Sequence, residues 1–378
     1  MHFLHNAKAR VVKKVVIKLG TGILSAGKGK IHEARLAKLA NGIHAVGKSS
    51  KTQVIVVSSG AVGLGMGKLG LDSRPTDLAI LRACAAIGQC LLMNAWTDAL
   101  RHVGLVSAQV LLTRDDFNER ARSQKVQETL DALLAQGVIP IVNENDSVSD
   151  EEIKFGDNDV LSALLCSLGK ANLLVILSTA KGLMTHPEAG SLVPFVAEIT
   201  PAIEQMAKGT DSPTAVGGMV TKIEAAKIAT KSGCAVFIGS GEQPSELSEI
   251  INGQAIGTFF APAGLELRER KRWLAFFPKP KGRISIDDGA RNAILTQGGS
   301  LLASGLLHIE GEFEKAEVVS IIDSRNQTIA RGITRFSSAE LLEIRGKSNS
   351  EVLDLHPGKT RPEVVHRDHL APHVSSPN

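Results

Sequence analysis

Two clusters of Asn and Asp residues stand close together in the middle of the chain. In the segment VIPIVNENDSVSDEEIKFGDND (residues 138–159), the first cluster runs from Asn143 to Asp146 and the second from Asp157 to Asp159. The run Val138 to Val142 is short and β-branched, which is typical of a buried strand. Ligands of parallel sheets bind where strands end, so these side chains are candidates to hold an amino-acid-like ligand. Each residue alone could instead form a turn or cap a helix.

Two lysines lie beside glycine-rich turns that could bind phosphate. Lys18 belongs to the strand-like run VVIKLGTG, whose small residues let backbone N–H groups approach an anion. Lys222 lies near the start of an amphipathic helix that Gly217 and Gly218 open. A lysine there opposes the helix dipole, and a bound anion would remove that conflict. The alternatives are a tight turn at Lys18 and a solvent-exposed Lys222.

Other glycine patterns differ in whether a strand precedes them. The loop SSGAVG (residues 58–63) follows the apolar run Gln53 to Val57 and opens a helix, so it is a further anion candidate. GIHAVGKS has the P-loop spacing but follows a helical stretch, and we interpret it as a helix that ends at Gly47. GMGKLG (residues 65–70) begins well past the strand and is expected to be a loop. GILSAGK lacks the Ser or Thr that ligates magnesium.

This combination favours phosphoryl transfer over hydrolysis or redox chemistry, since neither a Ser-His-Asp set nor a Cys/His metal cluster is recognisable. Lysines and backbone N–H groups stabilise the charge of a transferring phosphoryl group. A carboxylate acceptor arrives already ionised and requires no general base. Asp159 is a candidate to orient the two lysines.

The elements around these residues alternate between strand and helix, which predicts an α/β sandwich with a mostly parallel sheet. The predicted strands are Val11–Leu19, Gln53–Val57, Val138–Val142, Leu173–Leu177 and Ala235–Ile238. The predicted helices include residues 31–46, 77–100, 123–135, 159–168 and 219–231.

The sequence changes in character after Pro262. Four short strands are predicted at residues 283–286, 305–310, 318–322 and 328–333, and one helix near residues 288–295. Together they indicate a small β-rich domain. We expect a first domain over residues 1–265, a linker over 266–279, a second domain over 280–357 and a poorly ordered tail over 358–378.

The composition is that of an ordinary globular protein. The chain has 378 residues, of which 43% are hydrophobic, and a net charge of +4 that is too small to indicate nucleic acid or membrane as partner. No secretion signal or membrane-spanning run is recognisable, so we expect a cytoplasmic protein. The four cysteines form no C-x-x-C pair and are expected to be buried free thiols.

The motifs KLGTG, VSSGAVGLG, IPIVNENDSV, KFGDNDVLSALL and GGMVTK, in this order, resemble the amino acid kinase family. NEND together with GDND is similar to the branch that phosphorylates the γ-carboxylate of L-glutamate to L-glutamate 5-phosphate, the first step of proline synthesis. The segment from about residue 280 to 357 resembles a PUA domain. The resemblance implies ATP as phosphoryl donor and Mg²⁺ that arrives with the nucleotide, and no metal site built from protein side chains.

The resemblance also implies roles for individual residues. Lys18 and Lys222 would stabilise the transferring group, and Asp159 would hold both lysines. L-glutamate would be bound by Ser59, Gly60, Asp146 and Asn158. The remaining expected contacts to ATP are Gly20, Thr21, Ser178, Thr179, Val216, Gly217, Gly218, Met219, Val220 and Thr221.

The chain departs from the usual family pattern at three places, all expected to contact the nucleotide. KLGTG replaces the common KLGTS, and Val216 replaces a common Thr. The segment Ser178 to Met184 lacks the Asp and Tyr of the common Thr-Asp-x-x-Gly-Leu-Tyr. We expect these changes to alter the KM for ATP more than the identity of the reaction.

Two other functions compete with this interpretation. A different kinase of the same fold would act on N-acetylglutamate, carbamate, aspartate or a nucleoside monophosphate. Alternatively, the PUA-like domain would bind RNA, but residues 268–378 contain 17 Lys and Arg against 14 Asp and Glu, which is a small excess for a phosphate-binding surface. The resemblance further implies a homo-oligomer and proline as a feedback inhibitor.

Overall fold

The computed structural model describes residues 12–27, 29–148, 158–186, 190–208, 218–242, 247–263, 271, 274–275 and 277–372. The chain divides into two compact units, Met1–Glu266 and Leu267–Asn378. The predicted change of character after Pro262 therefore falls close to the boundary between the units.

The N-terminal unit contains an eight-stranded sheet in the order β3-β4-β2-β1-β5-β7-β8-β6 among the described residues. Its strands are β1 Lys14–Leu19, β2 Gln53–Ser58, β3 Ser107–Leu112, β4 Ile139–Glu144, β5 Leu173–Ser178, β6 Phe195–Val196, β7 Ala235–Ser240 and β8 Thr258–Phe260. The first six strands in that order pair in parallel, and β8 runs antiparallel to β7. The predicted mostly parallel sheet is confirmed.

The helices of this unit lie between the strands, as the alternating pattern predicts. They are α1 Thr21–Leu24, α2 Glu33–Ser50, α3 Ala61–Lys68, α4 Leu78–Arg101, α5 Asp115–Asn118, α6 Arg120–Ala135, α7 Asn158–Gly169, α8 Pro201–Ala207, α9 Met219–Lys231 and α10 Leu247–Ile251.

The alternation of side chains along β1 positions one charged group. Val15, Ile17 and Leu19 belong to the core cluster that also contains residues of α2 and α4. Because successive side chains of a strand point to opposite faces, Lys18 lies on the other face, where α7 contacts β1. The core on one face thus directs the lysine towards the other.

Two glycines, Gly65 in the GMGKLG pattern and Gly88 on α4, have a packing role that the sequence interpretation missed. The prediction that GMGKLG forms a loop is wrong, because residues 65–68 form the end of α3. A Cβ at Gly65 would lie 1.9 Å from the carbonyl oxygen of Cys84, and one at Gly88 would lie 1.7 Å from that of Ala61. Both glycines therefore let α3 and α4 cross at close range. The GIHAVGKS pattern is helical as predicted, but α2 continues past Gly47 to Ser50.

Helix α4 is long and apolar enough to cross a membrane by length and composition. One face of it, with Cys84, Leu92, Trp96 and Leu100, is completely or almost completely buried within the protein. Leu92, Trp96 and Leu100 of this face belong to the core cluster of the N-terminal unit.

Three of the four cysteines match the prediction of buried free thiols. Cys84, Cys166 and Cys234 are buried, whereas Cys90 on α4 is exposed, so the prediction is wrong for Cys90. Burial raises the pKa of the Cys166 thiol well above its ordinary value, and a hydrogen-bonding contact with Cys234 adds to the effect. Cys166 therefore remains a protonated, unreactive thiol.

The C-terminal unit contains a five-stranded sheet in the order β10-β9-β11-β12-β13. Its elements are β9 Gly282–Ile286, α11 Asp288–Leu295, β10 Leu306–Glu310, β11 Val318–Ile322, β12 Thr328–Ile333, α12 Ser338–Ile344, α13 Asn349–Leu355 and β13 Leu370–Pro372. The four predicted strands and the predicted helix at 288–295 are confirmed. Its core is apolar, with Ile284, Leu301 and Phe336 completely buried.

Both predicted flanks of this unit need correction. The prediction of a poorly ordered tail from residue 358 is wrong for the residues up to 372, because β13 pairs with β12 and Leu370 is buried. Leu274 and Ala275, in the linker expected over 266–279, are also part of the unit, since they pack against Val318 and Ala371. Residues 373–378 lie outside the described residues.

Candidate active site

Three buried charged side chains meet near the carboxyl end of β1. The Nζ atom of Lys18 lies 2.6 Å from Oδ1 of Asp159, and the Nζ atom of Lys222 lies 3.2 Å from Oδ2 of the same carboxylate. The residues are 2%, 0% and 4% exposed, respectively. The structure thus brings together the three residues predicted to be catalytic, and one carboxylate holds two ammonium groups near each other.

Two helix N-termini complete this cluster. Asp159 is in the first turn of α7, where the helix dipole favours a carboxylate. Lys222 is in the first turn of α9, where the dipole disfavours a lysine. The hydroxyl of Thr221 lies 2.9 Å from the carbonyl oxygen of Gly218 and 3.2 Å from Oδ2 of Asp159, so its single hydrogen is shared between these two acceptors. The carboxylate therefore also fixes the start of α9.

The start of α9 provides backbone donors for an anion. Gly218 is the N-cap residue and makes no side-chain capping bond. Met219 is buried, whereas Val220 is 48% exposed. Val216 and Gly217, which the sequence also predicts to contact the nucleotide, lie outside the described residues.

The predicted nucleotide residues of β1 and β5 contact each other. The backbone N–H of Gly20 donates to the carbonyl of Leu177 (3.0 Å), and a Cβ at Gly22 would lie 3.1 Å from the methyl group of Thr179. Ser178 is buried and its hydroxyl accepts from the backbone N–H of Ala180 (3.2 Å). The parallel pairing of β1 with β5 explains this proximity, because it brings both carboxyl ends to one edge of the sheet.

An open pocket lies between the loop after β1 and the loop after β2. Its empty volume is about 400 Å³, and Thr21, Ser59, Gly60 and Gly63 contribute to its lining. Gly60 has a φ of 109°, a left-handed conformation that favours glycine, and it is the N-cap residue of α3. The two candidate anion loops therefore face a common space.

Asn158 connects this pocket with the end of β4. Its Nδ2 atom donates to Oγ of Ser59 (2.8 Å) and to Oδ1 of Asn143 (2.9 Å). The side-chain oxygen of Asn158 is buried and has no hydrogen-bond partner among the described residues. It is therefore an unsatisfied acceptor on a residue that contacts Ser59, which lines the pocket.

Asp146 is the fourth residue predicted to bind substrate. It lies half-buried in the turn that follows β4. Strand β4 pairs in parallel with β2, so the turn with Asp146 lies at the same edge of the sheet as the loop with Ser59.

Sequence reasoning missed two residues of α4 that form hydrogen bonds with side chains near the ends of β2 and β4. The indole N–H of Trp96 donates to Oγ of Ser58 (2.9 Å), and the side-chain oxygen of Gln89 accepts from Nδ2 of Asn143 (2.9 Å). The one available signal was the amide of Gln89 in the apolar stretch LRACAAIGQCLLM.

Comparisons with known proteins identify the family of each unit. Residues 13–240 match the amino acid kinase family, and residues 282–355 match the PUA domain. The chain is 42% identical to the glutamate 5-kinase of Moorella thermoacetica over 362 residues, which cover 95% of this chain and 96% of that protein. It is 43% identical to the enzyme of that name from Geobacter sulfurreducens (95% and 97% covered) and 42% identical to that from Deinococcus radiodurans (94% and 99% covered).

The matched residues 13–240 include the lysine–aspartate cluster and both loops that line the pocket. The chain therefore belongs to the amino acid kinase family, in its glutamate 5-kinase branch, and its C-terminal unit contains a PUA domain.

Proposed function

We propose that this protein is a kinase that transfers the γ-phosphoryl group of ATP to the γ-carboxylate of L-glutamate and forms L-glutamate 5-phosphate, the first step of proline synthesis. The observation that carries the proposal is the buried pair of lysines on one carboxylate, beside a pocket that Ser59 and Gly60 line. The near full-length similarity to glutamate 5-kinases supports glutamate as the acceptor.

In this mechanism an oxygen of the substrate γ-carboxylate attacks the γ-phosphorus of ATP, and the bond from that phosphorus to the β,γ-bridging oxygen breaks. Negative charge grows on the bridging oxygen and remains on the peripheral oxygens. Lys18 and Lys222 offset that charge from a fixed position, because Asp159 holds both ammonium groups before the substrates bind. Their burial strengthens the effect by excluding water.

The acceptor substrate would be held by polar groups from three loops. Ser59 and Gly60 follow β2, Asp146 follows β4, and Asn158 begins α7. The carboxylate of Asp146 and the side-chain oxygen of Asn158 are acceptors that suit the α-ammonium group of an amino acid. The N–H groups at the start of α3 suit a carboxylate.

The nucleotide would lie along the carboxyl ends of β1 and β5 and the start of α9. Gly20 and Thr21 are small residues that follow β1, and Ser178 and Thr179 lie beside them. Gly218 to Thr221, at the start of α9, contribute backbone donors. Gly217 and Val216 precede this segment in the chain.

Magnesium would arrive with ATP. Among the described residues no group of three or more His, Cys, Asp or Glu side chains could hold a metal ion. Such an ion would be coordinated mainly by phosphate oxygens and would neutralise phosphate charge there.

Acyl phosphate formation tests the proposal. Hydroxylamine converts an acyl phosphate into a stable hydroxamate, which can be quantified with L-glutamate, N-acetylglutamate, L-aspartate and UMP offered in parallel and ADP measured in each. We expect hydroxamate and equal ADP with L-glutamate. Activity with another acceptor alone would retain the fold and contradict the proposed function.

We also propose that proline inhibits by competing with glutamate. Both ligands have an α-carboxylate and an α-nitrogen, so both would address Asp146 and Asn158. Inhibition that raises the KM for glutamate without lowering kcat is expected, and inhibition competitive with ATP would contradict it.

We propose in addition that the protein is a homo-oligomer. The outer face of α4 is apolar and includes Ile80, which is 44% exposed, and β3 is an edge strand preceded by Val106, which is 63% exposed. Exposed apolar faces and open strand edges favour association. Analytical ultracentrifugation of the full chain and of Ile80→Glu should show an assembly that the substitution weakens; a monomeric wild-type chain would contradict it.

A further inference from the structure

We infer that Gln89 on α4 positions Asn158 through a chain of buried side-chain amides and thereby sets the affinity for glutamate. The inference rests on the proposed function, because it deepens the role of Asn158 in substrate binding. Gln89 itself is separated from Asn158 by Asn143, so it acts as a positioning residue.

Four amide side chains form one hydrogen-bonded chain from the pocket to the edge of the sheet. Asn158 Nδ2 donates to Asn143 Oδ1 (2.9 Å), Asn143 Nδ2 donates to Gln89 Oε1 (2.9 Å), and Gln89 Nε2 donates to Gln109 Oε1 (3.2 Å). Asn158, Asn143 and Gln89 are 8%, 2% and 8% exposed. Gln109 lies on β3 and is exposed. The chain is therefore enclosed at the pocket and open to solvent at its far end.

One backbone group determines the direction of every bond in this chain. The backbone N–H of Glu144 donates to Oδ1 of Asn143 (2.9 Å). Because a backbone N–H can only donate, the atom that accepts it must be the amide oxygen. The nitrogen of Asn143 must then face Gln89, and the nitrogen of Asn158 must face Asn143.

This direction has a consequence for the pocket. Both hydrogens of Asn158 Nδ2 are used, one by Asn143 and one by Ser59. The side-chain oxygen of Asn158 is left buried, with no partner among the described residues. A buried acceptor without a donor is costly, and the α-ammonium group of an amino acid is a suitable donor. The chain thus leaves this oxygen, and not the nitrogen, as the unsatisfied group of Asn158 beside Ser59.

The position of Gln89 depends on the close crossing of α3 and α4. A Cβ at the neighbouring Gly88 would lie 1.7 Å from the carbonyl oxygen of Ala61, so α4 lies unusually near the loop that opens α3. From the same helix, Trp96 donates to Ser58 at the end of β2. Helix α4 therefore contacts both strand ends from which substrate residues extend, and Gln89 is its contact to β4.

Removal of the Gln89 acceptor tests the inference. In Gln89→Met the side chain keeps its length, but Asn143 Nδ2 loses its acceptor and Asn143 is free to rotate. We expect the KM for L-glutamate to rise about tenfold, while the KM for ATP and kcat stay within about twofold. Steady-state kinetics of the full chain give all three values. Gln89→Leu removes the same acceptor and replaces Gln89→Met if that variant does not fold.

Two further variants separate positioning from general damage. Gln89→Glu keeps an oxygen that accepts from Asn143, so its KM for L-glutamate should stay closer to that of the wild type than to that of Gln89→Met. Asn94→Met changes an exposed amide on the same helix and should leave the kinetics unchanged.

Failure of the proposed function and failure of the inference about Gln89 would give different kinetic results. A wild-type chain without activity on glutamate would contradict the proposed function, before any variant is compared. A Gln89→Met variant with the KM of an active wild type would contradict the inference about Gln89. Equal increases in the KM for both substrates, or a fall in kcat alone, would contradict it as well.

Discussion

The two units of the molecule use charged side chains in different ways. In the N-terminal unit, Lys18, Asp159 and Lys222 are almost completely buried. In the C-terminal unit, ion pairs such as Arg335–Glu363 and Lys359–Glu340 retain exposures of about a quarter per side chain. Burial of charges costs stability unless they are paired, and such groups cluster at functional sites. The contrast locates the chemistry in the N-terminal unit.

Even the buried carboxylate of the C-terminal unit has a local structural role. Asp323 is 5% exposed, and its Oδ1 accepts from the backbone N–H groups of Arg325 and Gln327. These bonds close the turn between β11 and β12. A carboxylate used in this way stabilises the backbone, whereas Asp159 aligns two lysines from distant segments.

The largest effect is expected when one of the buried lysines loses its charge. Lys18→Met and Lys222→Met should each lower kcat by about 10²- to 10³-fold, as does the loss of one donor to a transition-state oxyanion. Steady-state kinetics at saturating ATP and glutamate provide the measurement. Lys227→Met is a matched control on α9, because Lys227 is a third exposed and pairs with Glu204. Its kcat should stay within about twofold of the wild type. A loss of kcat in Lys227→Met as large as in the variants of the buried lysines would contradict the distinction between buried and surface charges.

The next effect concerns stability. Asp159→Asn keeps the shape of the side chain but removes the charge that both lysines contact, so it should lower the free energy of unfolding by about 3 kcal/mol. Urea denaturation measures this. Asp131→Asn disrupts a pair with Lys14 in which Asp131 is 49% exposed, and it should cost less than about 1 kcal/mol. A smaller loss for Asp159→Asn than for Asp131→Asn would contradict the assignment of Asp159 as the central anion.

The close crossing of α3 and α4 predicts an effect of comparable or smaller size. Gly88→Ala should destabilise the N-terminal unit by about 1–3 kcal/mol, because the new methyl group would force the helices apart. In Gly47→Ala, on α2, the added Cβ meets no atom within 4 Å, and the substitution should stabilise by up to about 1 kcal/mol. Thermal denaturation of both variants gives the signs, and a Gly88→Ala variant as stable as the wild type would show that the crossing is not tight.

The smallest effect is expected in the C-terminal unit. Ser337 and Glu340 form a capping box at the start of α12. Ser337→Ala should cost about 1 kcal/mol of stability and leave the KM for glutamate unchanged. Thermal denaturation and steady-state kinetics test the two halves of this prediction, and a changed KM would indicate that the C-terminal unit contributes to the site.

The Glu340 side chain of this capping box should also affect how the stability depends on acid pH. Burial by itself raises the pKa of Glu340, but the hydrogen bond from the Ser337 backbone and the contacts with Lys359 and His356 outweigh it and lower the pKa overall. A lowered pKa contributes stability that is present above the ordinary carboxyl pKa and is lost as the pH falls through the lowered value. In Glu340→Gln this part of the acid dependence should be absent; an unchanged pH profile of stability would contradict it.

Much of the site could be predicted because its residues follow strong local patterns. The β-branched run of β1 with Lys18 in it, and the glycine-opened helix with Lys222, define both the elements and the chemistry. Parallel pairing then brings the strand ends together. The pairing of Asp159 with both lysines, which the residues suggested and the resemblance also implied, is present in the structure.

Other features depend on tertiary contacts that no local pattern reports. Strand β3 was missed because its sequence, SAQVLL, is partly polar and only Leu112 is buried, as befits an edge strand. The interpretation of GMGKLG as a loop failed because the glycines serve the contact of α3 with α4. The tail prediction failed at β13 because its pairing partner lies about forty residues away in sequence.

The decisive measurement is which carbon of L-glutamate carries the transferred phosphate. Full-length protein, MgATP and hydroxylamine would be incubated with L-glutamate carrying ¹³C at C5 or at C1, and the product examined by ¹³C NMR. We expect the hydroxamate to form at C5 alone, in amounts equal to the ADP released. A hydroxamate at C1, or ADP without any hydroxamate, would contradict it.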